Sequence, residues 1–171
     1  MPEENARAKG YRDRAPYQQW AASKHMTLTP GNVIDYRYIR RDINKIAEKY
    51  QLQAIAFDPW NASQLCESEL LHEDGLPMVK MRQGFASMSA PTKHLESLVL
   101  RGDIKHGGNP VLRYHAASAA VRGDPAGNIK IDKARSTERV DGMVALVMAV
   151  GRAMASYEKP SPYTDRGIVS L

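Results

Sequence analysis

Gln51-Leu52-Gln53-Ala54-Ile55-Ala56-Phe57-Asp58-Pro59-Trp60-Asn61 is the stretch on which the fold turns. Residues 51–57 read as a short buried strand, and Asp58-Pro59 stops it. Upstream, Ile39, Ile43, Ile46, Ala47 and Tyr50 recur at helical spacing, with Arg40, Arg41, Lys45 and Lys49 mostly off that stripe. That pattern predicts an amphipathic helix, entered through the turn Thr29-Pro30-Gly31-Asn32 and capped by Asn32 or Asp35. Downstream, Asn61 can cap a helix over residues 61–73 that Gly75 ends, and residues 77–81 read as a second strand.

Further along, Ser89-Ala90-Pro91-Thr92 opens a helix with proline in its first turn; Leu95, Leu98 and Val99 face inward and Gly102 closes it. A short polar strand over residues 103–105 precedes the turn His106-Gly107-Gly108-Asn109-Pro110. Residues 111–121 read as helix, 123–127 as loop and 128–132 as extended chain. The last helix is expected to start at Ser136 or Thr137 and run to about residue 157, burying Val140, Met143, Val144, Val147, Met148 and Ala155. Helices alternating with strands argue an α/β layer fold with a partly parallel sheet. Before residue 28 the chain is Arg-rich and broken by proline: Arg7, Lys9, Arg12 and Arg14 stand among Tyr11, Tyr17 and Trp20. The expectation there is a basic irregular arm over residues 1–27 with a short helix near 17–22. Residues 28–157 form the main domain and 158–171 a loose tail.

Composition narrows the function classes. At 171 residues the chain fits one domain, and 43% hydrophobic with 25% charged residues is the balance of a soluble protein with a core. No apolar run approaches the roughly 20 residues that cross a bilayer. The polar, acid-bearing start is not a secretory signal, so a cytoplasmic protein is expected. A single cysteine, Cys66, excludes an intrachain disulfide and a Cys-rich metal knuckle, and reads as a small core residue. The net charge of +5 fits contact with a polyanion, because Lys and Arg on phosphates release condensed counterions. No GxxxxGK[ST] loop is present to cradle a nucleotide.

Asp58 and Asp141 are the residues best suited to chemistry. Asp58 leaves an apolar strand, and ligands of open α/β sheets gather at strand carboxyl ends; the plainer alternative is an Asx-type turn with Trp60 or Asn61. Asp141 lies beside the apolar run of the last helix, next to Gly142, which gives room for close approach; the alternative is a carboxylate resting on the positive end of the helix dipole. Two carboxylates can hold one Mg²⁺ or Mn²⁺ through hard oxygen ligands, whereas a two-metal centre usually wants a third or fourth acid. Lys130, Lys133, Arg135 and Arg139 cluster just ahead of Asp141 and read either as a solvated face or as phosphate contacts. His106 and His115 lack zinc-pair spacing and read as neutral histidines in a turn or on a helix.

In order along the chain, these segments resemble the C-terminal nuclease domain of the tailed-bacteriophage terminase large subunit. The resemblance rests on Leu28-Thr29-Pro30-Gly31-Asn32-Val33-Ile34-Asp35, then Ala56-Phe57-Asp58-Pro59-Trp60-Asn61-Ala62, then Gln83-Gly84-Phe85 with Ser89-Ala90-Pro91-Thr92-Lys93. It continues through His106-Gly107-Gly108-Asn109-Pro110-Val111-Leu112, Gly127-Asn128-Ile129-Lys130 with Lys133, and Val140-Asp141-Gly142 onward to Ala149. What it implies is an RNase H-like three-layer fold, a mixed sheet flanked by helices, that cuts double-stranded phage DNA at packaging with Mg²⁺ or Mn²⁺. By resemblance Asp58 and Asp141 are metal ligands and Lys133 orients a phosphate; beside that centre, the basic cluster's Lys130, Arg135 and Arg139 are the expected DNA contacts. Implied partners are the terminase small subunit, the portal protein and an upstream ATPase segment.

The chain departs from the family pattern at the first acid and first strand, since only the Arg-rich arm precedes residue 28. The expectation is therefore an N-terminally truncated domain: a prophage remnant, a split gene product or a fragment. Two other readings stand beside an active nuclease. One is a catalytically incomplete remnant, with an exposed sheet edge that invites pairing into a homodimer; the other is a basic DNA- or protein-binding adaptor that never used metal.

Overall fold

A computed structural model describes residues 1–60 and 63–157 of the chain. Its elements are α1 (Glu3–Arg12), α2 (Tyr17–Ala22), α3 (Tyr36–Lys49), β1 (Ile55–Phe57), a π-wound helix (Ser63–Glu73), β2 (Met78–Lys80), α4 (Phe85–Arg101), α5 (Pro110–Ser118), β3 (Val121–Gly123), β4 (Ile129–Ile131) and α6 (Asp141–Tyr157). The expected cap at Asn61 and the tail over residues 158–171 lie outside the described residues.

The decisive stretch forms a parallel β–helix–β unit. β1 pairs with β2 in register Ile55 to Met78 and Phe57 to Lys80, and the Met81 N–H extends the ladder to the Phe57 carbonyl at 2.8 Å. Alternation of side chains across the pleat sorts the strand between two cores. Phe57 and Ile55 join Cys66, Leu70, Leu76 and Met78 beneath α3 and the π-wound helix. Ala56 turns to the opposite face, against the core of Met88, Leu95, Val144, Val147 and Met148 supplied by α4 and α6. The layering is thus helix, sheet, helix. Among the described residues, however, the strands form two separate two-stranded sheets, the parallel β1–β2 pair and an antiparallel β3–β4 hairpin, where one mixed sheet was expected.

Local chemistry explains the helix boundaries. Asp35 supplies the cap of α3, accepting the Arg37 N–H at 2.9 Å. Ile43 and Ala47 of the predicted stripe pack inward, while Ile46 and Tyr50 stay exposed at its margin. On the polar flank of α3, Arg40 pairs with Asp74 and Glu73, and the Asn44 amide donates to Asp74 at 2.7 Å, tying α3 to the end of the π-wound helix. That helix runs 11 residues, long for a winding usually confined to single-turn bulges. α4 starts at Phe85, earlier than expected, so Pro91 lies inside it. Pro91 packs where Gly151 of α6 has no Cβ: a Cβ there would lie 3.3 Å from the Pro91 ring, so the glycine lets α4 and α6 close together. α5 begins where Asn109 Oδ1 accepts the Val111 and Leu112 N–H groups at 2.9 and 3.2 Å. It stops at Ser118, short of the expected residue 121, and Val121 enters β3 opposite Ile131. No strand forms over residues 103–105.

The short helix expected near residues 17–22 forms as α2, and the rest of the segment expected to be irregular is ordered too, with α1 over Glu3–Arg12. α1 and α2 dock on α5 through Ala15, Tyr17 and Trp20, which pack with Met1, Met26, Val111 and Tyr114. Trp20 meets Tyr17 and Tyr114 edge-on at 5.6 and 5.4 Å, geometry that adds to plain area burial. Asp13, buried between the helices, accepts from Arg12 Nε at 2.7 Å, the Tyr17 hydroxyl at 2.9 Å and Arg139 Nε at 3.3 Å. The Tyr114 hydroxyl donates to the Asp13 carbonyl. The arginines that made this stretch look like a solvated arm include one that neutralises a buried acid. Among the described residues no helix is long and apolar enough to cross a membrane.

Candidate functional site

The end of β1 delivers Asp58, half-buried, into a tight turn: its Oδ1 accepts the Trp60 N–H at 3.1 Å. The Asx-type turn is therefore present, and it fixes the direction of the carboxylate as the chain leaves the sheet. The strand before it packs directly on α6.

α6 begins at Asp141, not at Ser136 or Thr137. The residues expected to cap it are engaged elsewhere. The Thr137 N–H donates to the Ser118 carbonyl at 3.2 Å, and the Ser136 hydroxyl donates to the Asp132 carbonyl at 2.7 Å while accepting the Ala120 N–H. These bonds lash the approach to α6 onto the end of α5 and the hairpin. Val140 is buried, and its carbonyl accepts the Met143 and Val144 N–H groups at 2.9 and 3.1 Å. Asp141 thus occupies the first helical position, on the positive end of the dipole, with its side chain 69% exposed. Lys133 Nζ stands 3.4 Å from Asp141 Oδ1.

The valine ahead of α6 has no side-chain acceptor, and the cap comes from another helix. His115 on α5 accepts the Gly142 N–H on Nδ1 at 3.0 Å, which leaves the proton of the neutral ring on Nε2. A Cβ at Gly142 would sit 2.4 Å from that nitrogen, so only glycine admits the imidazole. Burial lowers the His115 pKa and the nearby Asp141 charge opposes this in part. The expectation of a neutral histidine on a helix agrees with this bond. His106 accepts the Gly108 N–H at 3.2 Å within its own turn.

The hairpin brings the cations. Lys130 Nζ donates to the Gln83 carbonyl at 2.8 Å and lies 5.4 Å from the Phe85 ring centre, with Arg122 at the same distance from that ring. Arg122 and Arg135 both face the buried Asp132, at 3.9 and 3.8 Å. Arg139 turns away from this group to Asp13. Buried Cys66, its thiol pKa raised by burial, belongs to the lower core. The structure therefore unites Lys133, Asp141 and His115 at the head of α6, sets Lys130 with Arg122 on the hairpin and assigns Arg139 to a structural ion pair. Among the described residues no three His, Cys, Asp or Glu side chains gather closely enough to cage a metal ion. Sequence reasoning missed the cap from His115 and the cation–ring contact of Arg122; the glycine beside Asp141 was the legible signal for the first.

What these features define is a small α/β domain with one carboxylate leaving a parallel strand and another at the head of the closing helix, beside a basic hairpin. The chain belongs to the family described as the terminase large subunit, endonuclease domain, whose model matches residues 1–157. It is 40% identical over 152 residues to the terminase large subunit of Enterobacteria phage HK97, covering 89% of this chain and 30% of that protein. It is 33% identical over 161 residues to protein YmfN of Escherichia coli strain K12, covering 91% of this chain and 35% of that one. The crystal structure of the HK97 bacteriophage large terminase superposes with a TM-score of 0.82 at 39% identity, over 89% of this chain and 32% of that chain. The chain thus spans about a third of the length of these relatives.

Proposed function

We propose that this domain is the metal-dependent DNA-cutting module of a phage terminase, built on an RNase H-like plan and acting on double-stranded DNA during genome packaging. The observation that carries the reading is the head of α6: an exposed carboxylate, Asp141, on a helix dipole, with an ammonium 3.4 Å away, on a helix that packs against the strand leading into Asp58. The donors suit a hard divalent cation. Asp58 and Asp141 would hold Mg²⁺ or Mn²⁺, with water or phosphate oxygens completing its shell. When bound, such an ion supplies Lewis acidity for phosphodiester hydrolysis. The remaining work falls to the chain. Lys133, paired with Asp141 at 3.4 Å, would contact a phosphate oxygen of the bound duplex beside that carboxylate. Lys130, Arg122 and Arg135 would hold the duplex backbone without reading bases. The partners of this reading are phage DNA, a terminase small subunit, a portal protein, an ATPase segment and a second copy of the chain, in the cytoplasm of a bacterial host.

A second reading is favoured by the lack of a third acid among the described residues: a catalytically incomplete domain that keeps the fold and DNA affinity. Mn²⁺-dependent nicking of supercoiled plasmid separates the two. On the nuclease reading, Asp58→Ala and Asp141→Ala each lower nicking at least about 100-fold while the circular-dichroism spectrum is unchanged. Wild-type nicking by either variant overturns the assignment. Retarded migration of DNA with no cutting by the wild type supports the incomplete domain.

A further inference from the structure

We infer that His115 is a positioning residue for Asp141, acting through the Gly142 peptide. This rests on the reading of Asp141 as a metal ligand. The first N–H groups of a helix have no intrahelical partner, and a Ser, Thr, Asp or Asn at the N-cap usually satisfies one. Here the preceding residue is Val140, which cannot. His115 reaches across from α5 and accepts the Gly142 N–H at 3.0 Å, holding the peptide that directly follows Asp141. Fixing that peptide fixes the Cα–Cβ direction of Asp141, and with it the 3.4 Å approach to Lys133. The contact is built for its partner on both sides. The Tyr114 ring stands 5.8 Å from the imidazole, and any side chain at position 142 would meet Nδ1 at 2.4 Å. A merely space-filling residue would need no acceptor at that atom.

Groups hydrogen-bonded directly to a metal ligand typically govern affinity by about 10–100-fold, and His115 acts one peptide further out, so the lower end of that range is expected. The test compares His115→Asn, whose Oδ1 can replace Nδ1 as acceptor, with His115→Leu, which keeps bulk and loses the acceptor. Two readouts are taken on the full chain: hydrogen exchange at the Gly142 amide without metal, and Mn²⁺ affinity by isothermal titration calorimetry. We expect Gly142 protection to fall in the Leu variant and persist in the Asn variant. Mn²⁺ affinity should drop about 10-fold for Leu and stay within about 3-fold of wild type for Asn. Wild-type Mn²⁺ affinity in a folded Leu variant overturns the inference, as does an Asn variant as weak as the Leu one. Asp141→Asn run alongside tells the two failures apart. If it abolishes Mn²⁺ binding while His115→Leu does not, only the positioning role falls; if neither moves the affinity, the ligand role of Asp141 falls first.

Discussion

Two aspartates near opposite ends of the chain show how one side chain serves two purposes. The Asp13 side chain is 6% exposed and engaged by Arg12, Tyr17 and Arg139, so its charge is spent holding α1 and α2 to the region ahead of α6. Asp141 is 69% exposed and faces one ammonium, Lys133, which is itself half exposed. A buried acid held by several donors is costly to disrupt, because stripping them away leaves a desolvated charge poorly compensated; an exposed acid with one movable cation contributes little to stability and remains available to a ligand. Each region also borrows from α5. Tyr114 closes the aromatic cluster over Trp20, and His115, the next residue, caps α6. One turn of helix therefore couples the docking of the N-terminal segment to the geometry of the candidate site.

The largest effect is expected at Trp20. Trp20→Ala should cost about 3–5 kcal/mol and loosen residues 1–27, seen as a lowered melting midpoint and early trypsin cleavage at Arg12 or Arg14. Wild-type stability in that variant would mean the N-terminal helices do not share the core. A gentler probe is pH. The Arg12 hydrogen bond, helped by Tyr17 and Arg139 and opposed by burial, lowers the Asp13 pKa to about 2 from 3.8. Because the folded value lies below the unfolded one, the stabilisation is complete above about pH 4 and disappears as pH falls through about 2. With both arginines half exposed and screened, it should amount to about 1–2 kcal/mol, and Asp13→Asn should flatten that part of the urea-midpoint profile. At the other acid the expected change is smallest. Asp141→Ala should move stability by less than about 0.5 kcal/mol while removing Mn²⁺-dependent nicking. A large loss of stability there would place Asp141 in the same structural class as Asp13.

Much of the fold was legible because local rules and tertiary packing agreed. The stripe of α3, the strand ending at Phe57, the second strand and the stop at Gly102 follow from periodicity and turn chemistry that the packed structure reinforces. Val99 and Ala155, expected to face inward, are exposed, and the misses at element boundaries fall where distant groups compete. Ser136 and Thr137 look like caps in sequence, but the Ser118 and Asp132 carbonyls and the Ala120 N–H claim them, and α6 starts later. The run 111–121 looks helical throughout, yet Val121 pairs with Ile131, because a strand opposite it satisfies its backbone as well as a further helical turn would. Residues 1–27 lack a clean apolar stripe, since their few large side chains converge on one spot of α5 and do not line a face.

At the candidate site the same division holds. Chain order alone set Asp58 at a strand exit, Asp141 beside a glycine and a run of cations before it, because residue type and spacing are properties of the chain. That Lys133 rather than Arg139 meets Asp141, that Arg139 instead answers Asp13, and that a histidine from α5 caps α6 were decided only by three-dimensional packing. The reason is reach: a side-chain hydrogen bond forms within about 3 Å, and which groups separated by tens of residues come that close depends on how helices dock, not on how far apart they lie in sequence.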